Sequence, residues 1–303
     1  MKNKGINSLK GILMLMIMFY HYTYRFQELY GISTIYFPTL DTWGTFGVIC
    51  FFIISGYFIF PKNPNISAKN LLKKRLARLI PAYLLCVTVT FVCINLVGLT
   101  NRAVGFADYI FNLLMLNGFI GVPYVDGAHW YLTYLIIFEF IVAFVYYISK
   151  RFNIDKKIMI MIWLLLNMTT KIGIQFINQL SFIYKLLGAD YLIFLLIGVS
   201  LKEFFHMKTK FYKYLLILLL VLMPIYEGLA ISLEVYIFLG IFTLVIFNKI
   251  NKFNSEKLSI IGDISYIAYL IHQNLGYIIL IHLNHYSVIT VILVMIVILG
   301  VSF

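Results

Sequence analysis

Two residues near the N-terminus have the types and the spacing that acid–base chemistry requires. Lys10 and His21 lie eleven positions apart at the start of the chain. Eleven residues make about three helical turns, so both side chains would lie on one helix face about 16 Å apart. A lysine at the helix mouth could hold an anion, and a deeper histidine could move a proton, because its pKa lies near neutrality. The structural alternative is a snorkelling lysine and a histidine that hydrogen-bonds between helices.

A second basic pair, Arg75 and Arg78, precedes Pro81. Residues three apart share a face, so both arginines would point the same way from a helix start. Arginine forks fit phosphate oxygens. Taken alone, however, the pair also fits an ordinary cytoplasmic cluster of positive charge.

Other polar residues lie where a membrane helix would be expected to be apolar. Ser265, Tyr269 and His272 recur at four and three residues, which predicts a polar stripe on one helix face. Aromatic residues beside His129 are typical of a membrane interface, so this histidine either contacts a substrate at the outer mouth or is simply exposed there. The candidate substrate-binding or cavity-lining residues are Ser55, His129, Trp130, Tyr131, Ser265, Tyr269 and His272.

The composition decides what kind of protein must position these groups. Of its 303 residues, 62% are hydrophobic and only 12% charged, and the mean hydropathy is +0.93. These values exclude a soluble enzyme, a disordered chain and a coiled coil. A membrane-spanning helix needs about 20 mostly apolar residues. Ten stretches qualify as candidate spans: 11–29, 43–60, 79–98, 128–149, 158–174, 187–201, 211–226, 229–248, 259–281 and 286–303.

The basic residues orient these spans. If the N-terminus is cytoplasmic, nearly all of the 24 Lys and Arg residues fall in cytoplasmic segments. The exceptions are Arg25, Arg102, Lys171 and Lys185. The net charge of +12 therefore reflects topology, and no nucleic-acid partner is expected. The sequence predicts an all-α, polytopic membrane helix bundle of about ten transmembrane helices with a cytoplasmic N-terminus, forming a single domain over residues 1–303.

Metal and disulfide chemistry is not expected. Cys50, Cys86 and Cys93 are few and scattered in apolar runs, so we expect buried free thiols. The six histidines form no pair with a carboxylate at zinc-binding spacing. His282 and His285 are expected at the outer interface.

Taken in order, several short motifs resemble the acyltransferase-3 family of bacterial membrane acyltransferases. The resemblance covers most of the chain, and its strength lies in the order and spacing of the motifs. They are Leu9-Lys10-Gly11, the pair Lys10 and His21, Phe51-Phe52-Ile53-Ile54-Ser55-Gly56-Tyr57, Arg75-Leu76-Ala77-Arg78 before Pro81, His129-Trp130-Tyr131-Leu132, and Ile264-Ser265-Tyr266-Ile267-Ala268-Tyr269-Leu270-Ile271-His272.

The resemblance implies transfer of an acyl group, usually acetyl from acetyl-CoA, to a hydroxyl of a surface glycan or its lipid-linked precursor. It implies a multi-pass protein of the bacterial plasma membrane, with lipid, acetyl-CoA and glycan as its partners. It also implies that Lys10 and His21 are catalytic and that Arg75 and Arg78 help to bind CoA. His21 would act as general base, or alternatively carry the acyl group as an acetyl-histidine.

Three features depart from the family pattern. Lys10 stands where many relatives carry arginine, and Asn7 stands where an acidic residue is frequent. Relatives commonly continue beyond the last helix, whereas this chain stops at Phe303, so a truncated or short C-terminal end is expected.

Two other classes compete with an acyltransferase. A transporter or flippase for a lipid-linked glycan would also need charges that face a cavity, but the sequence lacks repeat symmetry and paired broken helices. A receptor or assembly partner without activity is the third class. The acceptor sugar, the acyl group, the membrane face of the acceptor and the oligomeric state are left open.

Overall fold

The computed structural model describes residues 3–303 except 32–39, 62, 64, 100–101, 116, 208, 251–252 and 284–285. Helix accounts for 84% of the chain and the described residues form no strand, so the predicted all-α class is confirmed. The helices are α1 (Lys4–Tyr20), α2 (Phe26–Tyr30), α3 (Trp43–Ile59), α4 (Ala68–Val97), α5 (Phe106–Leu113), α6 (Asn117–Ile120), α7 (Trp130–Phe152), α8 (Lys156–Gly173), α9 (Leu180–Leu186), α10 (Leu192–Met207), α11 (Lys210–Ile246), α12 (Glu256–Leu283) and α13 (Val288–Val301).

Several of these helices have the length and composition of membrane spans. Among the described residues, five helical stretches qualify: Ala68–Val97, Gly127–Phe152, Leu180–His206, Lys210–Ile246 and Glu256–Leu283. Helices α3 and α13 are apolar but shorter. The count of ten and the cytoplasmic N-terminus stay predictions. Of the residues used for orientation or expected at the interface, Lys2, Lys62, Lys208, Lys252 and His285 lie outside the described residues.

Two long helices differ from their predicted bounds. Helix α11 covers two predicted spans, but Gly228 inside it has φ 79° and ψ 168°, so the helical path is broken where the sequence places the boundary. Helix α4 begins at Ala68 and continues through Pro81. Arg75 and Arg78 therefore lie inside a helix. The sequence had predicted that they lie at a helix start, and this prediction is wrong.

The exposed surface of these helices is apolar. Leu85 and Leu96 on α4 are 66% and 81% exposed, and Ile225 and Ile237 on α11 are 72% and 67% exposed. Such continuous apolar surface is unfavourable in water and suits contact with lipid. Cys50 and Cys86 are buried free thiols as expected, whereas Cys93 is also free but partly exposed.

The chain divides into two compact units. Unit 1 comprises Met1–Val48, Pro81–Trp130 and Leu233–Phe303, and unit 2 comprises Ile49–Ile80 and Tyr131–Ser232.

In unit 1, α1 packs backbone to backbone against α12. A Cβ atom on Gly262 would lie 1.8 Å from the carbonyl oxygen of Asn7, and a Cβ atom on Gly11 would lie 2.3 Å from that of Leu258. Only glycine permits such an approach, which is the usual way for small residues to join helices in membranes. This contact fixes which turns of α1 and α12 face each other.

In unit 2, the C-terminal half of α3 packs against α10 in the same manner. A Cβ atom on Gly56 would lie 2.0 Å from the carbonyl oxygen of Leu195, and one on Gly198 would lie 2.0 Å from that of Ile53. The last carbonyls of α3 have no partners within the helix, and cations satisfy them. One of these cations is Lys202, whose Nζ donates to the carbonyl oxygen of Phe60 at 2.9 Å.

The glycine contact in unit 1 makes a first testable prediction. Gly262→Ala should lower the free energy of unfolding by about 1–3 kcal/mol, because the new methyl group overlaps the backbone of α1. Gly240→Ala is the matched control, since no atom of a described residue lies within 4 Å of a Cβ atom there. The control should leave stability unchanged or raise it by up to about 1 kcal/mol. Thermal unfolding in detergent measures both, and equal unfolding temperatures would contradict the close packing.

Candidate functional site

Three histidines come together in unit 1, and we call His21, His129 and His272 the histidine cluster. His21 follows α1, His129 ends the short 3-10 helix Gly127–His129, and His272 lies in the middle of α12. The ring centroids of His21 and His272 are 4.9 Å apart, with an angle of 71° between the rings. Sequence analysis singled out each histidine separately, and the fold unites them.

His21 begins a single π-helical turn, His21–Arg25, that follows α1. Such turns frequently mark functional sites, because they displace one side chain from the regular helical path. Its Nδ1 atom lies 3.1 Å from the hydroxyl oxygen of Tyr277, which is fully buried. The His21 side chain itself stays partly exposed. One ring nitrogen is therefore held by a phenol while the residue remains accessible, as a general base needs to be.

His272 is completely buried, and the backbone fixes its tautomer. Its Nδ1 atom lies 2.7 Å from the carbonyl oxygen of Tyr269. A carbonyl oxygen can only accept, so Nδ1 carries the proton. Among the described residues, none is a hydrogen-bond partner of the Nε2 atom. The carbonyl oxygen of His272 accepts a hydrogen bond of 2.7 Å from the hydroxyl of Tyr22, which ties α12 to the π-helical turn.

His129 is buried at 1% exposure, so the interpretation of an exposed interfacial residue is wrong. Its Nε2 atom donates to the carbonyl oxygen of Leu270 at 2.8 Å, and no residue in the described part of the chain is a partner of its Nδ1 atom. The ring of Tyr83 stacks edge-on at 5.2 Å. The reason for the burial is the short 3-10 helix, which packs against α12 and carries His129 inward.

Asp126 is a functional candidate that sequence analysis missed. Its carboxylate is fully buried and accepts hydrogen bonds from the backbone amides of Ala128 at 2.9 Å and Asn274 at 3.0 Å. The side chain of Asn274 in turn donates to the carbonyl oxygen of Val125 at 2.7 Å. Asp126 thus caps the helix that carries His129 and joins it to α12. An Asp followed by Gly ahead of a short helix is a capping signal that could have identified it.

The segment before Asp126 is held by another buried residue that the sequence did not reveal. Asn112, at the end of α5, accepts from the backbone amide of Val125 at 3.0 Å and donates to the carbonyl oxygen of Pro123 at 2.9 Å. On the same short helix, Phe106 is 70% exposed. An exposed phenylalanine on a short amphipathic helix suits a position at a membrane interface.

Lys10 lies on α1, partly buried and on the same helix that leads to His21. One turn earlier, the side-chain amide of Asn7 donates to the Asp263 carboxylate at 2.7 Å. An acidic group is therefore supplied to this turn of α1 from α12. A carboxylate lies beside this turn of α1 although the local sequence lacks one.

The predicted polar stripe on α12 is only partly available for chemistry. The Ser265 hydroxyl donates to the carbonyl oxygen of Gly262 in its own helix at 2.8 Å. Tyr269 is buried, and its ring lies 5.4 Å from that of His272. Ser265 and Tyr269 therefore support α12 and the histidine cluster, and His272 is the member of the stripe with an unused polar atom.

The arginine pair lies in unit 2, and its two members have different surroundings. Arg75 donates to the carbonyl oxygens of Phe58 at 2.6 Å and Ile59 at 3.2 Å, and its guanidinium lies 3.7 Å from the buried carboxylate of Glu139. Arg78 is exposed. Arg75 thus caps α3 and balances a buried charge, whereas Arg78 is available to an anion.

The remaining candidates are divided between the units. In unit 2, the hydroxyls of Ser55 and Tyr131 lie 3.1 Å apart, and the Tyr131 ring packs on Phe52 at 4.5 Å. Trp130 is partly exposed and begins α7. In the part of the chain that is described, no three His, Cys, Asp or Glu side chains are grouped so that they could hold a metal ion.

The role of Asp126 can be tested by stability. Asp126→Asn should lower the free energy of unfolding by about 1–3 kcal/mol, because an amide group cannot accept from both backbone amides and places a donor against one of them. Asp155→Asn is the matched control. Asp155 is an exposed cap of α8 that accepts from the amide of Lys157 at 2.9 Å, and Asn caps a helix equally well. Thermal unfolding measures both variants. An unfolding temperature of Asp126→Asn equal to that of the wild type would refute the bridging role.

Comparison with known proteins agrees with this picture. A family model described as an acyltransferase domain matches residues 3–303. No curated protein and no solved structure gives a match. The resemblance found in the ordered motifs is therefore confirmed over the whole chain. This chain, with its apolar helices and its histidine cluster, belongs to the acyltransferase-3 family.

Proposed function

We propose that the protein is a membrane O-acetyltransferase. It moves an acetyl group from cytoplasmic acetyl-CoA to a hydroxyl of a surface polysaccharide or of its lipid-linked oligosaccharide precursor. The observation that carries this proposal is the environment of His21 in a member of an acyltransferase family: partly exposed, with Nδ1 beside the Tyr277 hydroxyl. The proposed location is the plasma membrane of a bacterium. The protein is proposed to cross this membrane about ten times and to have a cytoplasmic N-terminus.

In the proposed reaction, His21 is the general base. The acceptor hydroxyl oxygen attacks the thioester carbonyl, a carbon–oxygen bond forms and the carbon–sulfur bond breaks. His21 takes the hydroxyl proton and returns it to the CoA thiolate, which leaves as a thiol. The Tyr277 hydroxyl holds Nδ1 of His21, so the ring keeps one orientation while the proton moves.

Binding of the acetyl-CoA donor is assigned to basic residues. Arg78, exposed on α4, is proposed to bind CoA phosphate oxygens through its guanidinium. Arg75 supports this segment through α3 and Glu139, and its role in CoA binding is indirect. Lys10 is proposed to orient the donor or to stabilise the negative charge that develops on the thioester oxygen.

The first activity test concerns His21. In a strain that lacks the gene, wild-type protein should restore alkali-labile acetyl signals in proton NMR spectra of the surface polysaccharide. His21→Ala at matched membrane levels should not, since loss of a general base lowers rates by about 10²–10⁴-fold. His282→Ala is the matched control, because His282 is an exposed histidine at the C-terminal end of α12. Wild-type acetylation by His21→Ala refutes the base assignment, and unchanged acetylation with lost polymer export would favour a transporter or flippase.

The second activity test concerns the donor. Arg78→Ala should raise KM for acetyl-CoA by about 10-fold, because a charged contact with phosphate is lost. Lys73→Ala removes a neighbouring exposed cation and serves as the control. Release of CoA thiol from membranes measures both variants. An equal rise in KM for both would mean that general positive charge, and not a specific contact of Arg78, attracts the donor.

A further inference from the structure

The tautomer of His272 leaves a lone pair in a buried place. The Nδ1 proton is committed to the carbonyl oxygen of Tyr269, so a neutral His272 has an unprotonated Nε2. This atom is buried and no donor among the described residues reaches it. A cationic His272 would instead bury a charged N–H without an acceptor, which is far more costly. Buried polar atoms are normally paired, so an orphan of this kind needs an explanation.

Three described donors near His272 are already committed elsewhere. The Tyr22 hydroxyl donates to the carbonyl oxygen of His272, and the Asn274 side chain donates to that of Val125. His129 donates from Nε2 to Leu270. None of these groups is free to turn to Nε2 without breaking a hydrogen bond that holds α12 in place.

The aromatic group that faces His272 across the helix contact is His21. Their ring centroids are 4.9 Å apart, and the Nδ1 edge of His272 is turned to its own helix. The unprotonated nitrogen is the negative end of the imidazole dipole. A fixed negative dipole end near a group that becomes positive stabilises that charge without any reorganisation.

We propose that His272 is a positioning residue for His21. It stays neutral with its proton on Nδ1, and its Nε2 lone pair stabilises the imidazolium that His21 forms when it takes the acceptor hydroxyl proton. This inference rests on the proposed base role of His21. The proton balance is unchanged, because the proton still passes from the hydroxyl to His21 and from His21 to the CoA thiolate.

Two amide substitutions distinguish the role of the Nδ1 atom of His272 from that of its Nε2 atom. Asn places an amide near the position of Nδ1, so His272→Asn keeps a donor for Tyr269 and loses the acceptor. Gln reaches the position of Nε2, so the carbonyl oxygen of His272→Gln can replace the lone pair. We expect kcat for acetyl transfer to fall by about 10- to 100-fold in His272→Asn, and His272→Gln to retain at least several-fold more activity.

The matched controls are His282→Asn and His282→Gln. His282 also lies on α12 with Nδ1 2.8 Å from a carbonyl oxygen of its own helix, that of Ile278, but it is exposed. Both control variants should keep wild-type kcat. Equal activity of His272→Asn and His272→Gln, or equal losses matched by equal falls in unfolding temperature, overturns the positioning role.

A spectroscopic measurement tests the inference without any acceptor. Nitrogen-15 NMR of imidazole-labelled protein in detergent, with the His272 signals assigned by their absence in His272→Gln, should show a protonated Nδ1 and an unprotonated Nε2 at neutral pH. A protonated Nε2 overturns the proposal. Absence of acyl transfer by the wild-type protein would contradict the proposed function instead, whereas an active wild type with a fully active His272→Asn contradicts only this inference.

Discussion

The backbone contact between α1 and α12 is the constraint on which the site depends. Gly11 and Gly262 let the two helices touch without intervening side chains, so the turns that follow are set at a fixed distance. Further along, a Cβ atom on Gly276 would lie 2.2 Å from the ring of Tyr22, so this ring lies against bare backbone. Because of these contacts, the π-helical turn with His21 meets the middle of α12.

The second principle is that polar groups in apolar surroundings must find partners within the protein. In α12, the carbonyl oxygens of Tyr269, Leu270 and His272 accept from side chains, and the Asn274 amide donates to Asp126. Unpaired groups would each cost free energy, so this network stabilises the helix where it carries the site. The unpaired Nε2 of His272 belongs to the ring that packs against His21, and this is why His272 is assigned a role.

The two arginines show how one sequence pattern can conceal two roles. Arg75 and Arg78 share a helix face, and their spacing alone gives them the same expected function. In the structure, Arg75 is committed to α3 and Glu139, while Arg78 is exposed. The spacing of two residues indicates only that their side chains point the same way from the helix. The burial and the partners of each side chain depend on which other elements pack against that face.

The sequence by itself determined the all-α class and the apolar helices, because these follow from composition and local periodicity. It also indicated the family through the order of its motifs, and it singled out Lys10 and His21 through their spacing. Only the tertiary structure revealed Asp126 and Tyr277, placed His129 in the interior, and showed which histidine nitrogens are paired. His21 and Tyr277 are 256 residues apart, and His129 and Leu270 are 141 apart. No local pattern encodes such pairs, since they form only when distant helices pack and each buried donor finds its acceptor.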